Sequence, residues 1–165
     1  MANVLFKGNP AHTVGELPGV GSSAPVVSLV NRTLEEVDLE AFAGKKKVLN
    51  IVPSLDTGTC ATSTRKFNEM VGSRTDAVVL VISKDLPFAQ KRFCEAEGIT
   101  NVVSLSAFRS SFDKDWGVLL IDSPLKGLLA RSVVVLDENN KVIYTQLVPE
   151  ITTEPDYAKA LASLG

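Results

Sequence analysis

Val48-Leu49-Asn50-Ile51-Val52 is a short apolar run that stops at Pro53, and the change of period beyond that proline decides the fold. From Cys60 to Val71 the pattern moves to three- and four-residue steps. Ala61, Thr64, Phe67, Met70 and Val71 share one face, and Arg65, Lys66, Asn68 and Glu69 share the other. That spacing predicts an amphipathic helix over 60–71, ended by Gly72. Ala77-Val78-Val79-Leu80-Val81-Ile82 is then apolar at every position. Such a run predicts a strand in the middle of a sheet whose two faces are covered.

Working outward, Asp85 and Pro87 open a second helix, with Phe88, Ala89, Phe93 and Ala96 on one stripe and Gly98 as its stop. Val102 to Leu105 reads as a short strand, and Phe108 to Trp116 as a helix. Arg131 to Leu136 and Val142 to Leu147 are strands joined by the hairpin loop Asp137 to Lys141. Pro155, Tyr157, Ala160 and Leu161 mark a C-terminal helix. Toward the N-terminus, residues 1–24 form a turn-rich lead-in. There Val4-Leu5-Phe6 and Val14 flank Gly8-Asn9-Pro10 in a predicted β-hairpin. Val26 to Val30 and Thr33 to Leu39 carry partial strand patterning, and Lys45 to Lys47 after Gly44 read as a solvated turn. The order implies an α/β domain with a central mixed β-sheet flanked by helices, which the thioredoxin-like arrangement fits. Residues 1–165 are expected to form one domain, with 1–24 as a hairpin extension.

Composition narrows the function. The chain is 45% hydrophobic and 22% charged with a formal charge of −2, which disfavours both disorder and a nucleic-acid surface built on bulk basic charge. No apolar run reaches the ~20 residues of a membrane-spanning helix, and no signal-peptide pattern opens the chain. A cytoplasmic protein is the expectation. The only histidine, His12, lies in the predicted hairpin, leaving little for Ser-His or Cys-His catalysis. One His and two Cys cannot make a four-ligand zinc site by themselves. The cysteines, Cys60 and Cys94, are too few for a secreted disulfide framework and too far apart for a CxxC motif.

Cys60 falls at the start of the first helix. Free N–H groups and partial positive charge gather at such a position and favour an anionic sulfur. Asp56, Thr57 and Thr59 can each cap the helix. A buried structural thiol accounts for the same residue equally well. A favoured thiolate would not suffice for fast catalysis, because the electrophile must also be positioned and the leaving charge stabilised.

Pro53-Ser54-Leu55-Asp56-Thr57-Gly58-Thr59-Cys60 resembles the peroxiredoxin active-site pattern P-x-x-x-T-x-x-C. Further segments resemble the thiol peroxidase (Tpx) subfamily of the atypical 2-Cys type. They are Arg65 to Glu69, Ile82 to Ala89 running on to Arg92-Phe93-Cys94, Pro124 to Arg131, and Val148 to Tyr157. The resemblance covers nearly the whole chain.

It implies a thiol-dependent peroxidase acting on hydrogen peroxide and organic hydroperoxides, including alkyl and lipid hydroperoxides. Cys60 would be the peroxidatic cysteine and Cys94 the resolving one. Thr57 and Arg131 would bind peroxide and thiolate, and Pro53 would shape the pocket. No metal, heme, flavin or other cofactor is implied. Thioredoxin is the implied reductant and a homodimer the implied assembly. A Cys60–Cys94 disulfide would close a loop of roughly 35 residues, worth ~4 kcal/mol in the chain-entropy model. Forming it would unwind one or both helix ends. Some members carry another cysteine before Ser83; here Val78 to Ile82 has none. Trp116 stands where members commonly have tyrosine, which points to altered packing near the pocket or dimer surface. A redox-sensing or holdase-like binding protein on the same fold is the alternative. A dithiol isomerase is disfavoured by the cysteine spacing.

Overall fold

The computed structural model describes residues 1–165. Nine strands and four helices run in order: β1 (Asn3–Phe6), β2 (Asn9–His12), β3 (Leu29–Val30), β4 (Glu36–Val37), β5 (Lys46–Ile51), α1 (Gly58–Val71), β6 (Ala77–Ser83), α2 (Pro87–Ala96), β7 (Val102–Ser106), α3 (Phe112–Asp115), β8 (Ser132–Leu136), β9 (Val142–Leu147) and α4 (Tyr157–Leu164). A 3-10 turn at Leu39–Phe42 precedes β5. Strands β3 to β9 make one seven-stranded sheet in the order β4-β3-β7-β6-β5-β8-β9. β5, β6 and β7 run parallel, with Ile51 opposite Ile82 and Ile82 opposite Leu105. β8 joins β5 antiparallel, so the sheet is mixed.

The connections β5-α1-β6 and β6-α2-β7 step across the sheet in the same direction. Right-handed crossovers then place both helices on one face. The alternation of side chains shows it. Val48, Val79, Val81, Val133 and Val135 pack with Phe67 and Val71 of α1, Cys94 of α2, and Ala160 and Leu164 of α4. Their neighbours Leu49, Ile51, Leu80, Ile82 and Val134 face the other way, onto Leu29, Phe112 and Trp116. This is the expected thioredoxin-like arrangement.

The hairpin β1–β2 forms its own two-stranded sheet, closed by the two-residue turn Lys7-Gly8. Both turn residues have positive φ, 51° and 81°, as a tight hairpin matching the strand twist requires. Val4 and Ala11 anchor it on Leu120, Ala130 and Ile151.

Several local readings change. The partial strands before the 3-10 turn shrink to two residues each, and the helix read over 108–116 shrinks to α3. Lys47 is not in a solvated turn: β5 begins at Lys46, and the Lys47 side chain is buried against the sheet. Burial pushes its ammonium pKa down, partly offset by the charges of Glu40, Asp137 and Glu138. Met70 leaves the core stripe of α1 and is 45% exposed. On α2 the buried face is Pro87, Gln90 and Cys94, whereas Phe88 is 67% exposed. Trp116 is wholly buried and stacked on Phe112 with centroids 4.9 Å apart, so it packs the interior rather than an outer surface. Pro155 precedes α4, whose N-cap is Asp156.

Candidate active site

The chain leaves β5 through buried Val52 and Pro53 and turns at Ser54 to Thr57. Thr57 has extended backbone angles and is the N-cap of α1, accepting the Cys60 N–H on Oγ1 at 3.3 Å. Its own hydroxyl donates to the Ser54 carbonyl at 3.2 Å. Cys60 thus sits in the first turn of a 14-residue helix with no acidic residue in that turn to offset the positive end. The cysteine is fully buried. Its carbonyl accepts hydroxyl bonds from Ser63 at 3.0 Å and Thr64 at 2.8 Å, which tie the turn down from below.

Beside this turn lies a cleft of about 270 Å³ lined by Phe6, Lys7, Pro53, Thr57, Thr59, Leu125, Leu128, Arg131, Ile151 and Thr152. Three of the expected site residues, Pro53, Thr57 and Arg131, therefore meet on one wall-to-wall surface. Arg131 immediately precedes β8 and is only 2% exposed. Its Nε–H donates to the Ile151 carbonyl at 2.7 Å, and its Nη1 is buried with no hydrogen-bond partner in the protein. A buried guanidinium with a spare donor is costly unless something anionic or strongly accepting completes it.

Cys94 lies near the far end of α2, in the same apolar cluster as Cys60, and both are free thiols. Burial pushes the Cys94 thiol pKa up, opposed by the Arg32 charge and a hydrogen bond with Ser104.

Two carboxylates brace this region, and the residue pattern did not single out either one in that role. Asp85 does not cap α2, whose N-cap is Leu86 with no side-chain bond. Its carboxylate turns back to accept Ser54 Oγ–H and Leu55 N–H, each at 2.8 Å, and Ser83 Oγ–H at 2.6 Å. Ser83 Oγ in turn accepts from Gln90 Nε2 at 3.0 Å. Gln90 lies one helical turn before Cys94. Glu150 accepts the N–H groups of Lys7, Gly8 and Thr152 and the Thr152 hydroxyl, so it clasps the hairpin turn to the 148–153 loop. The Thr152 and Gly8 N–H groups hold its carboxyl below the ordinary range. The same loop presents the Ile151 carbonyl to Arg131 and the Thr152 carbonyl to Thr59 Oγ1 at 3.0 Å. Both bracing roles depend on contacts between distant segments, which no local pattern encodes. His12 pairs through Nδ1 with Asp122 Oδ2 at 2.6 Å, away from the cleft lining.

Cys60, buried in the first turn of the helix after a central strand and beside a cleft lined by Thr57 and Arg131 but not by Cys60 itself, marks a candidate cysteine site on a thioredoxin-like scaffold. Comparison with known proteins agrees. Residues 19–161 match the family model described as Redoxin. The chain is 62% identical over 165 residues to the thiol peroxidase of Corynebacterium glutamicum, with both chains fully covered. It is 53% identical to the thiol peroxidase of Mycobacterium tuberculosis over all of this chain and 99% of that one. The crystal structure of a peroxiredoxin-like protein from Aquifex aeolicus superposes with a TM-score of 0.91 at 43% identity, over 99% of this chain and 96% of that chain. The chain belongs to the redoxin family and, within it, to the thiol peroxidases, enzymes of the peroxiredoxin type. No helix is long and apolar enough to cross a membrane.

Proposed function

We propose that residues 1–165 act as one catalytic domain that reduces hydrogen peroxide and organic hydroperoxides through Cys60. The carrying observation is the cleft in which Thr57, Arg131 and Pro53 meet beside the helix turn that holds Cys60. The Cys60 thiolate attacks one peroxide oxygen, the O–O bond breaks, and the departing oxygen takes a proton to leave as water or an alcohol. Cys60 becomes a sulfenic acid. Thr57 offers a hydroxyl that both donates and accepts, and the unpartnered Arg131 Nη1 supplies a charged donor for the oxygen that gains negative charge. Pro53, buried at the cleft wall, shapes the approach without chemistry of its own. The apolar walls of Phe6, Leu125, Leu128 and Ile151 suit a peroxide bearing a hydrocarbon chain.

Cys94 then attacks the Cys60 sulfenic sulfur, forming the disulfide and releasing water. The elevated pKa of Cys94 in its buried setting makes it a poor nucleophile until the segment opens. Thioredoxin returns both thiols, the enzyme works as a homodimer in the cytoplasm, and no cofactor takes part. Thioredoxin-coupled turnover of hydrogen peroxide and a long-chain hydroperoxide by the wild type, Cys60→Ser and Cys94→Ser tests the assignment. Cys60→Ser should lose all turnover, and Cys94→Ser should retain the first oxidation but form no intrachain disulfide. Turnover persisting in Cys60→Ser sinks the mechanism.

A further inference from the structure

Asp85 links the two cysteine-bearing segments at their N-terminal ends, as the exposed Arg65–Glu97 ion pair links α1 to the C-cap of α2. It lies two residues before α2, which carries Cys94, and its carboxylate holds Ser54 and Leu55, which lead into α1 and Cys60. Through Ser83 the bonds continue to Gln90, on the buried face of α2 that also carries Cys94. Three donors converge on one carboxylate, and bonds of this charge-assisted kind are roughly twice as strong as neutral ones. Resting on the disulfide cycle proposed above, we propose that Asp85 is a redox-selective latch: it holds the Cys60 segment in its peroxide-reactive form and must release Ser54 and Leu55 when Cys60 and Cys94 join. It is a positioning residue and touches no reacting atom.

The reason is geometric. A disulfide needs Cα atoms roughly 4.4–6.8 Å apart. In the reduced protein both cysteines are fixed inside separate helices and buried in the core. Condensation of Cys60–SOH with Cys94–SH forms the S–S bond and expels water, and the helix end assigned to open is the first turn of α1, whose side-chain cap is one 3.3 Å bond from the Cys60 N–H to Thr57. The lead-in to that turn is the stretch that Asp85 holds. The latch therefore stabilises the dithiol and sulfenic states and contributes little to the disulfide.

Asp85→Asn tests this directly. The amide keeps one acceptor oxygen but turns an NH₂ donor toward a site whose contacts are all donors. The serine hydroxyls can rotate, whereas the Leu55 N–H can only donate. Equilibrated against dithiothreitol, the variant should favour its disulfide by about tenfold, a potential about 30 mV more negative. Amide exchange at residues 54–60 should quicken about tenfold in the reduced protein and stay unchanged in the oxidised one. The peroxide reaction of Cys60 should change less than about threefold, because the latched form still dominates the population. Ser54→Ala removes one donor to Asp85 together with the acceptor of the Asp56 N–H in the same lead-in, and should shift the equilibrium the same way by about threefold; it carries the test if Asp85→Asn fails to fold. Equal weakening of reduced and oxidised states, with an unshifted dithiothreitol equilibrium, overturns the latch. A wild type that forms no Cys60–Cys94 disulfide with peroxide instead overturns the cycle itself, so the two failures are told apart.

Discussion

Arg131→Met separates what the buried guanidinium does for chemistry from what it does for the fold. Methionine keeps a long flexible stem in the same apolar surroundings and removes every N–H. Two stability effects oppose each other. The Ile151 carbonyl loses its 2.7 Å donor, which costs about 1–3 kcal/mol for a bond from a charged group. Against that, the protein no longer buries a charge whose Nη1 has no partner, and relief of that desolvation is of similar size. The net change in unfolding free energy should stay within about 1 kcal/mol, a Tm shift of roughly 2–4 °C for a chain of this size. Nothing offsets the loss in the reaction. Removing the donor that the proposed mechanism assigns to the developing negative charge should slow the peroxide step about 100- to 1000-fold. Quenched-flow mixing with mass spectrometry of Cys60 sulfenic acid gives the second-order rate constant, and urea unfolding gives the stability. A variant that reacts within about threefold of wild type would refute the role of Arg131. A large loss of stability accompanied by an equal loss of rate would refute the separation.

Further expectations concern packing, acid and the N-terminal clasp. Phe67, fully buried and edge-on to Tyr157 at 5.1 Å, should cost about 3–5 kcal/mol when changed to Ala, whereas exposed Met70→Lys should stay within about 0.5 kcal/mol; urea melts check both. The carboxyls of Asp76, Asp122, Glu150 and Glu154 are all held below their ordinary values, Asp76 at about 2. Their contribution to stability is therefore fully present above the ordinary carboxylate range and fades as pH falls through their folded values toward about 2, which an acid unfolding series will show. Glu150→Ala frees the hairpin turn from the 148–153 loop, so amide exchange at Lys7, Gly8 and Thr152 should quicken and the peroxide rate should fall more than the rate of disulfide closure.

The sheet, its mixed character and the two helices after β5 and β6 were legible because apolar runs and three-to-four spacing report burial directly. Cys60 at a helix start was legible for the same reason. Thr57 as cap was visible among three candidates, and only the geometry selects it. Arg131 shows where local pattern ends. As a strand-end arginine it looks like any other, and its burial comes with the 148–153 loop, whose Ile151 carbonyl accepts its Nε–H from a distant part of the chain. Asp85 misled in the opposite direction. Its place before Pro87 suits a helix start, yet the carboxylate satisfies the Ser54–Leu55 turn instead, because that turn has donors with no strand to pair them. Lys47 and Phe88 fail for a simpler reason. Lys47 lies in a strand paired on both sides, whose two faces are covered, so its side chain is buried, while Phe88 falls on the outer face of α2 and is left exposed.

The most direct test of Cys60 and Cys94 as a catalytic pair is a titration of the reduced protein with hydrogen peroxide, with peptide mapping of the product. One Cys60–Cys94 bridge within a single chain should form for each peroxide consumed, reached through a sulfenic acid on Cys60 that persists only in Cys94→Ser. Peroxide consumed with both thiols intact, or oxidation appearing first on Cys94, would contradict that pairing.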